Sequence, residues 1–222
     1  MSSPLTLHAS EDRSKSQTTE RRRIGRLAAY LAGPLWALQI VIWIAAPKVQ
    51  EQSVPFRITN PLLFELFWLS IAGAVAFSAA SAAEIPRSIQ GLSSGVSRWA
   101  RVLATIALCL ASAATISIAV ALIPVVQGVA ISLMTNLLNG ALVILALSLS
   151  LSAVVSWRVN RAARSTSILT TALASATIAM IVAIFANGAH SMVGLYFAVA
   201  VAALNGVVWV LWGRASSAAL RR

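Results

Sequence analysis

Residues 102 to 157 and 165 to 213 contain no aspartate, glutamate, lysine or arginine. A soluble domain has to show charge to water along stretches of that length, so these runs point to lipid as the solvent. A helix rises about 1.5 Å per residue, and crossing a hydrocarbon core takes about 20 residues. Each run therefore holds two crossings and a turn. Pro124, Gln127 and Gly128 mark the first turn, and Asn187, Gly188 and His190 mark the second. Two further apolar stretches precede them, interrupted by the polar segment 47–60. The sequence predicts an all-α integral membrane protein with six spans, about 27–46, 61–83, 102–123, 136–157, 167–186 and 191–213.

The remaining residues organise around this domain. Residues 1–23 are rich in Ser, Thr and charge and end in Glu-Arg-Arg-Arg; by composition they form a disordered tail. Residues 24–214 hold the six spans, and 215–222 form a short basic tail. The basic stretch before the first span partly resembles a twin-arginine export signal. The apolar run is longer than a signal core, however, and five spans follow, so a retained helix is expected.

A net charge of +11 in 222 residues would suit a nucleic-acid binder if it formed one basic face. Instead, arginines flank the apolar runs, which excludes nucleic acid as the expected partner. With the N-terminus inside, all but Lys48 and Arg57 of the 17 lysines and arginines fall on the cytoplasmic side. That asymmetry is the positive-inside pattern, and it puts both termini in the cytoplasm. Trp99, Trp157, Trp209 and Trp212 lie at the inner boundaries, and Trp43 and Tyr196 nearer the outer ones, where amphipathic rings are favoured. The excess of arginine over lysine and the abundance of alanine suit a bacterial chain, hence a plasma (inner) membrane.

Pro47-x-Val49-Gln50 and Thr59-Asn60 bracket the first outer connection; Pro124-x-Val126-Gln127 and Thr135-Asn136 bracket the second. Proline suits a helix exit, and Thr or Asn can cap the helix that follows. The echo suggests a tandem helical hairpin in parallel orientation, with a fainter third copy in which Asn205-Gly206 repeats Asn139-Gly140.

Small residues recur every fourth position: Ser70, Ala74, Ser78 and Ala82; Ala107, Ala111, Thr115 and Ala119; Thr171, Ser175, Ala179 and Ala183. Such stripes let helix backbones approach closely in lipid. Asn136, Gly140, Ser148, Ser152 and Ser156 form a more polar line, which reads either as helix–helix glue or as the lining of a solute path.

Few side chains are equipped for chemistry. Glu65 is the one charge well inside an expected span, about four residues and roughly 6 Å from its outer edge. There it is positioned to pair with Arg57 or His190, or to serve as a proton or cation site. Gln39, Asn136, Asn139 and Asn205 complete the candidate polar site. Gly33-Pro34 is expected to loosen the first span. Cys109 stands alone, which excludes an intrachain disulfide. There is no phosphate-binding glycine loop with its lysine, no HExxH and no GxSxG. No catalytic or metal-binding residues, cofactor or enzymatic activity are therefore expected.

The function expected is that of a transporter or exporter component, energised by another chain. A cytoplasmic partner would dock on the inner loop 84–101 through Arg87, Arg98 and Arg101. The alternative is a non-transporting assembly, sensing or immunity protein acting through helix contacts. The expected partners are the lipid bilayer, an energising or membrane subunit, and a second copy of the chain.

Overall fold

The computed structural model describes residues 4–49, 57–88, 95–121, 127–159, 164–186 and 192–218. The described chain folds into helices α1 (Pro4–Ala45), α2 (Pro61–Ala82), a one-turn α3 (Ile85–Ser88), α4 (Gly95–Val120), α5 (Gln127–Val159), α6 (Arg164–Ala186) and α7 (Met192–Ala218). Six of them are long and apolar enough to cross a membrane, the membrane-length part of α1 being Arg23–Ala45. This is the all-helical, six-span architecture that the apolar runs imply.

The helices overrun the spans. α4 begins at Gly95 and α5 at Gln127, well before the apolar segments expected at 102 and 136. Charge and hydropathy locate the hydrocarbon-facing part of a helix, whereas nothing in 95–101 or 127–135 obliges the backbone hydrogen bonds to stop. α1 likewise extends back to Pro4 through the polar segment whose composition suggests a disordered tail. Neither Pro nor Gly interrupts residues 5–24, so the helix nucleated by the apolar part continues.

Between α1 and α2, Lys48–Val49 pairs antiparallel with Arg57–Ile58, Lys48 opposite Ile58 and Val49 opposite Arg57. The Thr59 amide donates to the Pro47 carbonyl at 3.1 Å, closing the connection at its base. Asn60 then caps α2: its side chain accepts from the Leu63 amide at 3.1 Å, with Pro61 at the first helical position. The matching Thr135-Asn136 does no such work. Both residues lie inside α5, and the Thr135 hydroxyl donates to the Ile131 carbonyl of its own helix. The two similar stretches thus end in different local structure, while Pro124 lies outside the described residues.

Each membrane helix packs against its neighbours in sequence, and α7 returns to α1, closing a ring. α2 also touches α5, so α4 lies outside the seam between them. Residue contacts fix the directions. Gly25 of α1 meets Glu84 beyond the end of α2, Gly213 of α7 meets Tyr30, and Trp157 of α5 bonds Thr171 of α6. The ring is up-and-down, and Arg23, Arg26, Arg98, Arg101, Arg158, Arg164 and Arg214 consequently gather at one end. At the opposite end Ile42, Trp43, Ala46 and Ile58 form a satellite core with Phe64 and Phe67, and the Trp43 and Phe67 rings lie 5.7 Å apart.

Alanine supplies much of the buried core. Ala29 and Ala32 of α1, Ala74 and Ala79 of α2, Ala104, Ala107 and Ala111 of α4 and Ala141 of α5 are all fully buried in one core. Small side chains bring helices close enough for dispersion along their length, the main attraction where lipid removes the hydrophobic drive. The four-residue stripe on α2 is buried throughout. On α4, Ala107 and Ala111 are buried but Thr115 and Ala119 are exposed. A four-residue step advances about 40° past a full turn, so a straight helix rotates such a stripe out of its interface. On α6 the buried line is Thr170, Leu173, Ala174, Thr177 and Met180, and Ser175 is exposed.

Three aromatic rings depart from the expected interfacial belt. Trp99 and Trp157 are exposed, as is Tyr196, but Trp209, Trp212 and Trp43 are buried. Their height along the axis suits a belt, yet their helical phase turns them inward, with Val201, Asn205 and Val208 on the same side of α7.

Candidate functional site

The expected polar residues do not converge. Asn136 is exposed and Asn139 half-buried on α5, while Glu65 is half-buried near the start of α2. Arg57's side chain and His190, the partners considered for Glu65, lie outside the described residues. Gln39 and Asn205 are buried on α1 and α7. Gly33 and Gly206 touch at the crossing of these two helices, which levels Asn205 with Pro34. Gln39 therefore sits about 8 Å further along the axis. α5 and α7 each pack against α6, and no hydrogen bond joins Asn205 to Asn139.

The buried serines of α5 are hydrogen-bonded. Ser148 donates across the interface to the Ala100 carbonyl of α4 at 2.7 Å. Ser152 and Ser156 return their hydrogens to Ser148 and Ala153 carbonyls in their own helix. Each hydroxyl is thereby satisfied in a region of low dielectric, where an unpaired one is costly. Gly140 makes ordinary contact with Leu110, a position where α4 and α5 simply fit together.

What remains polar and buried gathers on other helices. Both amide atoms of Asn205 are buried with no hydrogen-bond partner, and so are the indole nitrogens of Trp209 and Trp212, one and two turns further along α7. The hydroxyls of Ser81 on α2 and Ser167 on α6 are in the same condition. Ser81, Ser167 and Trp212 lie toward the arginine-bearing end, Asn205 deeper. Trp36 is different: its indole nitrogen donates to the Ser78 hydroxyl of α2 at 3.2 Å. The Trp36–Ser78 pair escapes sequence reasoning because tryptophan at this depth looks like filler. Its one signal is Ser78's place in the buried small-residue stripe.

Arg98 and Arg101 stand on the first turns of α4, within a helix and not in a free loop; Arg87 lies in α3. Arg98 is exposed, and the Arg101 Nε donates to the Ser97 carbonyl at 3.3 Å. Below them a lateral groove of about 480 Å³ follows the outer face of α4 past Cys109, which is exposed. Among the described residues, no three of His, Cys, Asp and Glu come together in a way that would hold a metal ion.

No protein-family model, curated protein or solved structure matches the chain.

Proposed function

We propose that this chain is a non-transporting membrane subunit, acting in assembly, sensing or immunity through contacts made by its helices and its arginine-bearing end. The observation that carries the reading is one continuous buried apolar core shared by all six long helices. Trp36, Trp209 and Trp212 belong to it together with alanines from α1, α2 and α4 and leucines from α5 and α6. At Gly33 and Gly206 the α1 and α7 backbones are in contact. Polar side chains that would line a path are dispersed, and Ser148, Ser152 and Ser156 of α5 are committed to carbonyl groups.

We assign the arginine-bearing end and both termini to the cytoplasm of a bacterial cell, with the chain in its plasma membrane. The arginine asymmetry supports this, because cationic side chains hold short loops inside. A partner is proposed to meet this end as a whole, including the segment that carries Arg87. A tandem-hairpin origin is supported by the antiparallel pairing of α1 with α2 and of α4 with α5, and is opposed by the different roles of Asn60 and Asn136.

One observation favours the transport reading as an alternative: the unpartnered amide of Asn205, in line with two unpartnered indoles. Mild-detergent purification of the tagged full-length chain, with mass spectrometry of what stays bound, separates the two. A stoichiometric non-energising membrane protein is expected. A co-purifying ATPase, or solute flux by the reconstituted chain alone, would replace the first reading with the second.

A further inference from the structure

α4 has one side in the bundle and one side outside it. Ala104, Ala107, Ala111 and Ala114 face α2 and α5, whereas Val102, Ile106, Cys109 and Ile116 face outward. The groove of about 480 Å³ runs along this outer face. In a bilayer an apolar groove of this kind meets hydrocarbon, so its selectivity is decided at the end that reaches the headgroups.

That end carries Arg98 and Arg101, both lining the groove. Trp99 between them is 63% exposed, a ring at the depth where amphipathic aromatics settle. α4 contains no acidic residue to neutralise the two guanidinium groups. Each guanidinium has five N–H donors, of which the contact with Ser97 uses one on Arg101. The Thr105 hydroxyl is taken by the Arg101 carbonyl at 3.0 Å, so the wall below the arginines is effectively apolar. From Arg98 to Leu110 the helix rises about 18 Å. That is close to the depth of one leaflet in a hydrocarbon core of about 30 Å.

We propose that the groove binds one anionic phospholipid, with its phosphate-bearing headgroup on Arg98 and Arg101. One acyl chain lies along Val102, Ile106 and Leu110. Charge complementarity selects the lipid, and the apolar wall fixes its position. This goes beyond the subunit reading and does not depend on it.

The test titrates delipidated full-length protein in detergent with phosphatidylglycerol and with phosphatidylcholine of the same chains, counting bound lipid by native mass spectrometry. Phosphatidylglycerol is expected to bind at least about tenfold more tightly. Replacing both arginines, Arg98→Gln with Arg101→Gln, should lower its affinity about 25-fold, at about fivefold per cation near a membrane surface. Phosphatidylcholine binding should not change, and the Arg98→Lys, Arg101→Lys pair should keep most of the preference. Ile106→Trp, which fills the exposed groove, should weaken both lipids. Equal affinity for the two lipids would overturn the proposal. So would a preference that survives the double Gln variant but disappears with Arg158→Gln and Arg214→Gln. Cys109 is the chain's single cysteine. An oxidative Cys109–Cys109 dimer in native membranes would give this face to a second copy and also overturn it.

Discussion

Gly33 of α1 and Gly206 of α7 leave no room between them: a Cβ at Gly206 would lie 2.9 Å from the Gly33 carbonyl oxygen and 3.0 Å from the Trp36 Cβ. Alanine normally improves a helix over glycine by about 1 kcal/mol. Here the methyl meets backbone, and overpacking of a filled site costs about 1–3 kcal/mol. Gly206→Ala should therefore destabilise the bundle by roughly 1 kcal/mol. Gly140 provides the contrast, because its Cβ would sit 3.7 Å from a Leu110 methyl, in ordinary contact. Gly140→Ala should stabilise by up to about 1 kcal/mol. Unfolding in mixed micelles measures both, and equal shifts of the same sign would refute the difference in packing.

The Trp36–Ser78 hydrogen bond joins α1 to α2 inside the core. Interhelical hydrogen bonds in membranes average about 0.6 kcal/mol and reach about 1.7. A double-mutant cycle of Trp36→Phe and Ser78→Ala should give a coupling energy in that range. A coupling indistinguishable from zero would mean that the indole is held by shape alone.

The membrane fold was legible in the sequence because charge-free length is a direct consequence of the bilayer. Helix count follows from the runs and their Pro, Gly and Asn turns. Helix ends do not, as α4 and α5 show, since backbone hydrogen bonding continues past the hydrocarbon boundary. The inward or outward facing of aromatic rings was legible only in part. Trp99 and Trp157 face out while Trp209 and Trp212 face in, and composition at a given depth carries no azimuth. The candidate polar site fared similarly. Asn205 and Gln39 are buried as a polar residue in a span suggests, but Asn136 is exposed, and no spacing rule shows that α5 and α7 each pack against α6. The α4 groove is lined by one outward face of a single helix, from Arg98 to Leu110, and only the pair Arg98 and Arg101 hints at it in the sequence.

The repeated Thr-Asn pairs make a sharp comparison. Asn60 caps α2 through Leu63, whereas Asn136 lies inside α5. Removing an Asn cap costs about 0.5–2 kcal/mol. Asn60→Ala should lower unfolding stability by about 1 kcal/mol, and Asn136→Ala should be neutral or slightly stabilising, since alanine is the better helix former. Equal losses at the two sites would imply that both asparagines cap helices and would restore the structural equivalence of the hairpins.

Asn205 is where packing and function can be told apart. Its amide is fully buried with neither atom hydrogen-bonded, a condition that costs about 1–3 kcal/mol per unsatisfied group. Leucine branches at Cγ as asparagine does and carries no polar atom, although its methyl groups are larger than the amide atoms. Asn205→Leu should raise unfolding stability by up to about 1–3 kcal/mol, less the cost of packing the larger methyl groups, whichever functional reading holds. The readings part on the second measurement. For a non-transporting subunit, the stabilised variant should retain its co-purifying partner at wild-type stoichiometry. For a transport component, the amide supplies hydrogen bonds to a polar solute, and flux should fall as stability rises. A destabilised Asn205→Leu protein would mean that the larger leucine does not fit the site, or, if Asn205→Ala is destabilised as well, that the amide is hydrogen-bonded to another helix.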